Sequence, residues 1–163
     1  MKTDVKNDDA APDEAYIRMA IELAHKSEQT GGIPIGALLV KDGEVISQAL
    51  SLPWSERDTT NHTEIDCIRA AAKEHGLKDL TGCTLYGVIE PCSMCLSACL
   101  WAGVSRVVFG AYASDISANP YEYDNYSSEE LVKNASNPIR LTGSVLREEC
   151  AALLKDYKDW QKQ

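Results

Sequence analysis

The sequence predicts an α/β domain with helices on both faces of one mixed sheet, on three observations. Helical apolar spacing occurs near both ends of the chain, an Asp-Gly pair joins two apolar runs in its first third, and a buried strand, helix, strand unit fills its middle. The hairpin requires an antiparallel pair and the strand, helix, strand unit a parallel one, hence the mixed sheet. The 163 residues suit one domain able to bury about two thirds of its unfolded surface.

Residues 1–12 are polar and acidic and read as a flexible tail, so the single domain is expected over 13–163. Ile17, Ala20, Ile21 and Ala24 mark an amphipathic helix ending before Gly31-Gly32. Ile35 to Val40 and Glu44 to Leu50 flank Lys41-Asp42-Gly43 as hairpin strands, and Ser51 to Asn61 is a polar loop. Ile65, Ile68, Arg69 and Ala72 fit a helix closed by Gly76. Cys83 to Ile89 reads as a buried strand, Cys92 to Ala102 as an apolar helix stopped by Gly103, and Arg106 to Phe109 as another buried strand. Residues 110–126 show no period and read as a long loop, Ile139 to Thr142 as a short strand, and Val145 to Trp160 as a C-terminal helix.

With 44% hydrophobic and 25% charged residues the composition excludes disorder; residues 1–9 hold no apolar core of a signal peptide, and no stretch approaches the length of a membrane span. A cytoplasmic protein with no membrane partner is expected. Sixteen basic against twenty-five acidic residues give a net charge of −9, so a nucleic-acid partner needs a local basic patch. Six cysteines suit a reducing compartment better than a disulfide framework.

The spacing of two of those cysteines carries chemistry. Pro91-Cys92-Ser93-Met94-Cys95 follows a buried strand and opens a helix, placing two thiols on one side of a first turn. Thiolates at a helix N-terminus are stabilised by its positive end, and both reach one metal at about 2.3 Å. His62, beside the start of its own helix, supplies a third ligand and leaves one tetrahedral position open, as catalytic zinc requires. Glu64, two residues on, is placed to ferry protons. A closed set including Cys99, four residues after Cys95, is the competing arrangement and belongs to a structural-zinc interaction domain. Cys99, Cys67, Cys83 and Cys150 are otherwise core thiols, Trp101 packs with its apolar helix, and His25 and His75 complement helix C-termini.

The order H-x-E, then P-C-x-x-C, resembles the cytidine-deaminase-like zinc deaminase superfamily. From about residue 13 onward the chain is similar to the branch of guanine and cytosine (nucleobase) deaminases and tRNA adenosine deaminases. The Gly-Gly-Ile-Pro-Ile-Gly-Ala stretch and Arg106-Val107-Val108-Phe109-Gly110 add to the likeness. The resemblance implies a three-layer α/β/α fold around a mixed five-stranded sheet, one Zn²⁺ per subunit, a homodimer and hydrolytic deamination. By position it makes His62, Cys92 and Cys95 the zinc ligands and Glu64 the catalytic proton shuttle. It sets Asp115 near the substrate and Trp160 over the bound ring. Ser51 stands where this branch usually has a substrate-contacting asparagine, and Thr63 where it has alanine, so the pocket is open to a ring outside the commonest set.

Within that resemblance two substrates compete. Arg147 to Leu154 looks like the C-terminal helix of bacterial tRNA adenosine deaminases. Against that stand the absence of a Lys-Thr-Gly-Ala stretch in 111–126, the net charge, and a tail that interleaves Asp156 and Asp159 with its lysines. The expectation is therefore release of ammonia from a free nucleobase or related small heterocycle, with adenosine-to-inosine editing of tRNA as the alternative. A homodimer could still assemble a basic groove from Arg57, Arg69 and Arg140.

Overall fold

The computed structural model describes residues 10–56, 58–116, 126–155 and 157. In chain order the elements are α1 (Ala10–Gln29), β1 (Gly36–Lys41), β2 (Glu44–Leu50), α2 (Thr63–His75), β3 (Cys83–Ile89), α3 (Ser93–Ala102), β4 (Arg106–Ala111), α4 (Ser128–Lys133), β5 (Arg140–Thr142) and α5 (Arg147–Lys155). The strands form one mixed sheet in the order β2-β1-β3-β4-β5. β1 is antiparallel to both β2 and β3, whereas β3, β4 and β5 run parallel.

Strand alternation builds the three layers. Leu38, Val40, Tyr86, Val88 and Val108 point to one face and pack with Ile17, Ala20 and Ala24 of α1 and Cys150 and Leu154 of α5. Their neighbours Ala37, Leu39, Leu85, Val107 and Phe109 point to the other face and meet Cys67 of α2, Leu96 and Cys99 of α3 and Val132 of α4. Burying each of the larger side chains contributes about 1.5–3 kcal/mol. Gly110 lets α5 close on β4, since a Cβ there would lie 2.2 Å from Cys150 Sγ. Gly103, with φ 77°, ends α3 in the left-handed region and donates its N–H back to Cys99 and Leu100.

A buried polar knot ties α1 to the sheet. Arg106 of β4 donates to both carboxylate oxygens of Asp13, at 2.8 and 2.6 Å, and to Thr142 of β5 at 3.0 Å. The Tyr86 hydroxyl donates to the same carboxylate at 2.9 Å, and burial first, then that bond, push its phenol well above the ordinary range.

Four expectations need correction. The first helix begins at Ala10, three residues before the anticipated domain boundary, because its first turn delivers Asp13 to Arg106. α4 was not anticipated: six residues with two apolar side chains are too short to show a period, although Ser127 caps it and Glu129 and Glu130 occupy its first turn. α5 starts at Arg147 and not at Val145, since Ser144 (φ 69°) and Leu146 (φ 53°) are left-handed. Trp101 is not packed inside; it is 92% exposed. α3 is apolar on every side, so spacing could not choose its buried face. No helix among the described residues is long and apolar enough to cross a membrane.

Candidate metal centre

The helices whose first residues carry the candidate ligands start at the same edge of the sheet. Gly36 pairs with Leu50 and Ala37 with Gly87, so the beginning of β1 lies beside the ends of β2 and β3; Ile89 pairs with Ala111 at the end of β4. Ser51, Cys92 and the turn holding Asp115 therefore all follow strands that end at this edge, the usual place for a ligand in an open α/β sheet.

His62 is the N-cap residue of α2 and Cys92 that of α3, both with extended backbone and neither using its side chain to cap. The two side chains turn toward one another instead. His62 Nδ1 lies 3.6 Å from Cys92 Sγ and 3.4 Å from Cys95 Sγ, and the three ligand atoms fall within 4.8 Å of each other. A tetrahedral zinc about 2.3 Å from sulfur and about 2.05 Å from nitrogen requires an S to N edge of about 3.6 Å. The donor set thus fits zinc in both chemistry and spacing. Cys99 is not in the cluster; it is buried in the core with Leu96 and Cys67, and burial pushes its thiol upward. Among the described residues the set is the open, three-ligand one.

Hydrogen bonding divides the thiols. The bond from Cys95 and, after burial opposes it, the contact with His62 bring Cys92 down to about 4, while the same bond and burial push Cys95 up. Glu64 is buried in the first turn of α2 and accepts from Thr63 Oγ1 at 3.1 Å and Cys95 Sγ at 3.4 Å. Burial raises its carboxyl above the usual range, with the negative Cys92 adding to it. Thr63 therefore has a partner in the site that an alanine could not provide.

The remaining sequence expectations divide. Ser51 is buried, with its backbone N–H on Ile35 and its carbonyl 2.7 Å from the Ser27 hydroxyl. Asp115 is held by its own chain: Arg147 NH2 donates to Oδ1 at 2.6 Å and Nε to Oδ2 at 2.9 Å, and the Tyr112 N–H adds a bond at 2.8 Å. The guanidinium also sits 4.9 Å over the Tyr112 ring, and its bond to Asp115 lowers that carboxyl. Trp160 lies outside the described residues. Sequence reasoning missed Glu90 and Tyr126, which flank this centre; the acid directly between a buried strand and Pro91 was the available signal.

Residues 10–111 match the family described as the cytidine and deoxycytidylate deaminase zinc-binding region. A tRNA-specific adenosine deaminase of Bacillus subtilis (strain 168) is 36% identical over 145 residues, covering 89% of this chain and 88% of the relative. A guanine deaminase of the same organism is 35% identical over 123 residues, covering 75% and 78%. Among solved structures a guanine deaminase from Nitrosomonas europaea superposes with a TM-score of 0.77 at 25% identity, over 88% of this chain and 83% of that one.

Proposed function

Because the chain belongs to the cytidine and deoxycytidylate deaminase zinc-binding family, we propose that it hydrolyses the exocyclic amine of a purine ring. The observation that carries this reading is the convergence of one imidazole and two thiols on a point beside a buried carboxyl. His62, Cys92 and Cys95 are the metal ligands and Glu64 the proton carrier. Held there, a zinc ion supplies the Lewis acidity that brings the pKa of water from about 15.7 towards about 7.

Hydrolysis replaces a C–N bond by a C–O bond, with water providing the oxygen and the amine leaving as ammonia. As carboxylate, Glu64 takes a proton from the attacking water and passes it to the ring nitrogen next to the amino-bearing carbon. It then takes the proton left on the added oxygen and delivers it to the amine, which departs as ammonia and leaves Glu64 a carboxylate again. Its burial keeps bulk water from short-circuiting that transfer. Ser51, which follows β2 at the same sheet edge, is the proposed substrate contact on that side, whereas Asp115 is proposed to act through the Arg147 and Tyr112 arrangement.

Adenosine in tRNA is the first reading, supported by relatives of that name that match nearly the whole chain, and it takes precedence over the free-base expectation from composition. Free guanine or a similar base is the second, supported by the guanine deaminase relative and by basic side chains paired within the chain. Ammonia release from free purines and inosine formation in an anticodon stem-loop, measured side by side at physiological salt, separate them. Activity on neither substrate sinks both. A homodimer completes the proposal, with exposed Trp101 on α3 as its anchor: Trp101→Glu is expected to yield monomers in sedimentation, and an unchanged dimer removes that role.

A further inference from the structure

Glu90 directly follows β3 and is 4% exposed. Its carboxylate accepts from the Ala113 N–H at Oε2 (3.1 Å) and, at Oε1, from the Ser128 N–H (3.0 Å) and hydroxyl (2.6 Å). Ala113 belongs to the turn after β4 and Ser128 is the first residue of α4, so one side chain binds two distant stretches to the residue preceding Pro91 and Cys92. Beside it, the Tyr126 hydroxyl donates to the Pro91 carbonyl at 2.8 Å. A buried carboxylate is costly, and three converging donors offset that cost only if both stretches stay in place.

We propose that Glu90 is a positioning residue: by holding Ala113 and Ser128 it seats Tyr126 on Pro91, and so fixes an aromatic wall beside the His62, Cys92 and Cys95 cluster against which a planar base is aligned. The inference rests on the deaminase reading of that cluster. Its geometry has a sharp consequence. Glutamine offers one acceptor oxygen in place of two, so in Glu90→Gln an NH2 must face either the Ala113 N–H or the Ser128 pair. A wall that contacts the base equally in the bound substrate and in the transition state contributes uniform binding, so its loss is expected to appear in KM and not in kcat.

The test combines hydrogen exchange, zinc content and kinetics on purified Glu90→Gln. Expected are exchange about tenfold faster in peptides spanning 112–116 and 126–131, one zinc per chain as in the wild type, and KM raised about tenfold with kcat within about threefold. KM is read with free guanine and with an adenosine-bearing anticodon stem-loop. Should Glu90→Gln fail to fold, Ser128→Ala removes only the hydroxyl bond and is expected to shift exchange and KM in the same direction, by about threefold. Wild-type exchange and KM in the folded variant overturn the proposal, as does loss of zinc and kcat with KM unchanged, which makes Glu90 a support of the cysteine turn alone. A wild-type protein inactive on both substrates defeats the deaminase reading instead; the exchange measurement needs no substrate and still decides whether Glu90 holds the two stretches.

Discussion

Glu64 and Cys99 differ in what their burial does. Glu64 is buried against polar partners with an acceptor directed at Cys95, while Cys99 is buried among aliphatic side chains with nothing to coordinate. Glu64→Ala is therefore expected to keep one zinc per chain and its fold but lose about 10²–10⁴ in kcat, the usual contribution of a general acid/base group. Near wild-type turnover by that variant removes Glu64 from the proton path. Cys99→Ala is expected to retain zinc by elemental analysis and to cost about 1–2 kcal/mol in denaturant stability, the price of a small core void. Loss of the metal in Cys99→Ala means a fourth protein ligand, and with it a closed site unsuited to hydrolysis. The His62, Cys92 and Cys95 cluster was legible in the sequence because the spacing of these residues relative to two helix starts is a local property. Glu90 was not, because its partners Ala113 and Ser128 are 23 and 38 residues away and no period announces them.

At the scale of elements, local signals again separate what could be read from what could not. The Asp42-Gly43 hairpin, the Gly76 and Gly103 stops and the buried strands β3 and β4 each declare themselves within a few residues, and the structure has them where the sequence puts them. The start of α1, the face of α3 and the start of α5 are set by tertiary partners: Arg106 draws in Asp13, Trp101 is left outside, and left-handed Ser144 and Leu146 delay the last helix. The Asp13 knot is the clearest case for a mutation. Removing its carboxylate leaves the buried Arg106 guanidinium without its counter-charge, whereas the exposed Arg18 to Glu149 pair, 3.1 Å apart between α1 and α5 on one face of the sheet, is screened by solvent. Asp13→Ala is expected to lower unfolding free energy by about 3–5 kcal/mol, and Glu149→Ala by less than about 1 kcal/mol. Equal small losses in urea titrations contradict the assignment of α1 docking to this pair.

For the whole molecule the deciding quantity is charge. The chain carries −9, and among the described residues Arg18, Arg69, Lys133 and Arg147 each face an acid of the same chain while Arg106 is buried. A carboxylate beside such a cation repels an incoming phosphate and already neutralises part of the local charge, so fewer counterions are released. If tRNA is the substrate, its recognition then falls on the flipped base and the pocket, not on the backbone. A protein making 6–10 phosphate contacts loses about 10³–10⁵ in affinity between about 50 and 200 mM salt. Here the kcat/KM for an anticodon stem-loop is expected to fall by less than about tenfold over that range, corresponding to about one or two neutralised phosphates. Free guanine, which is uncharged, serves as the control for salt effects on the site itself. A loss above about a hundredfold with the stem-loop, and none with guanine, contradicts the expectation and places a basic groove across two subunits, where Arg69 and Arg140 of each copy could be drawn together.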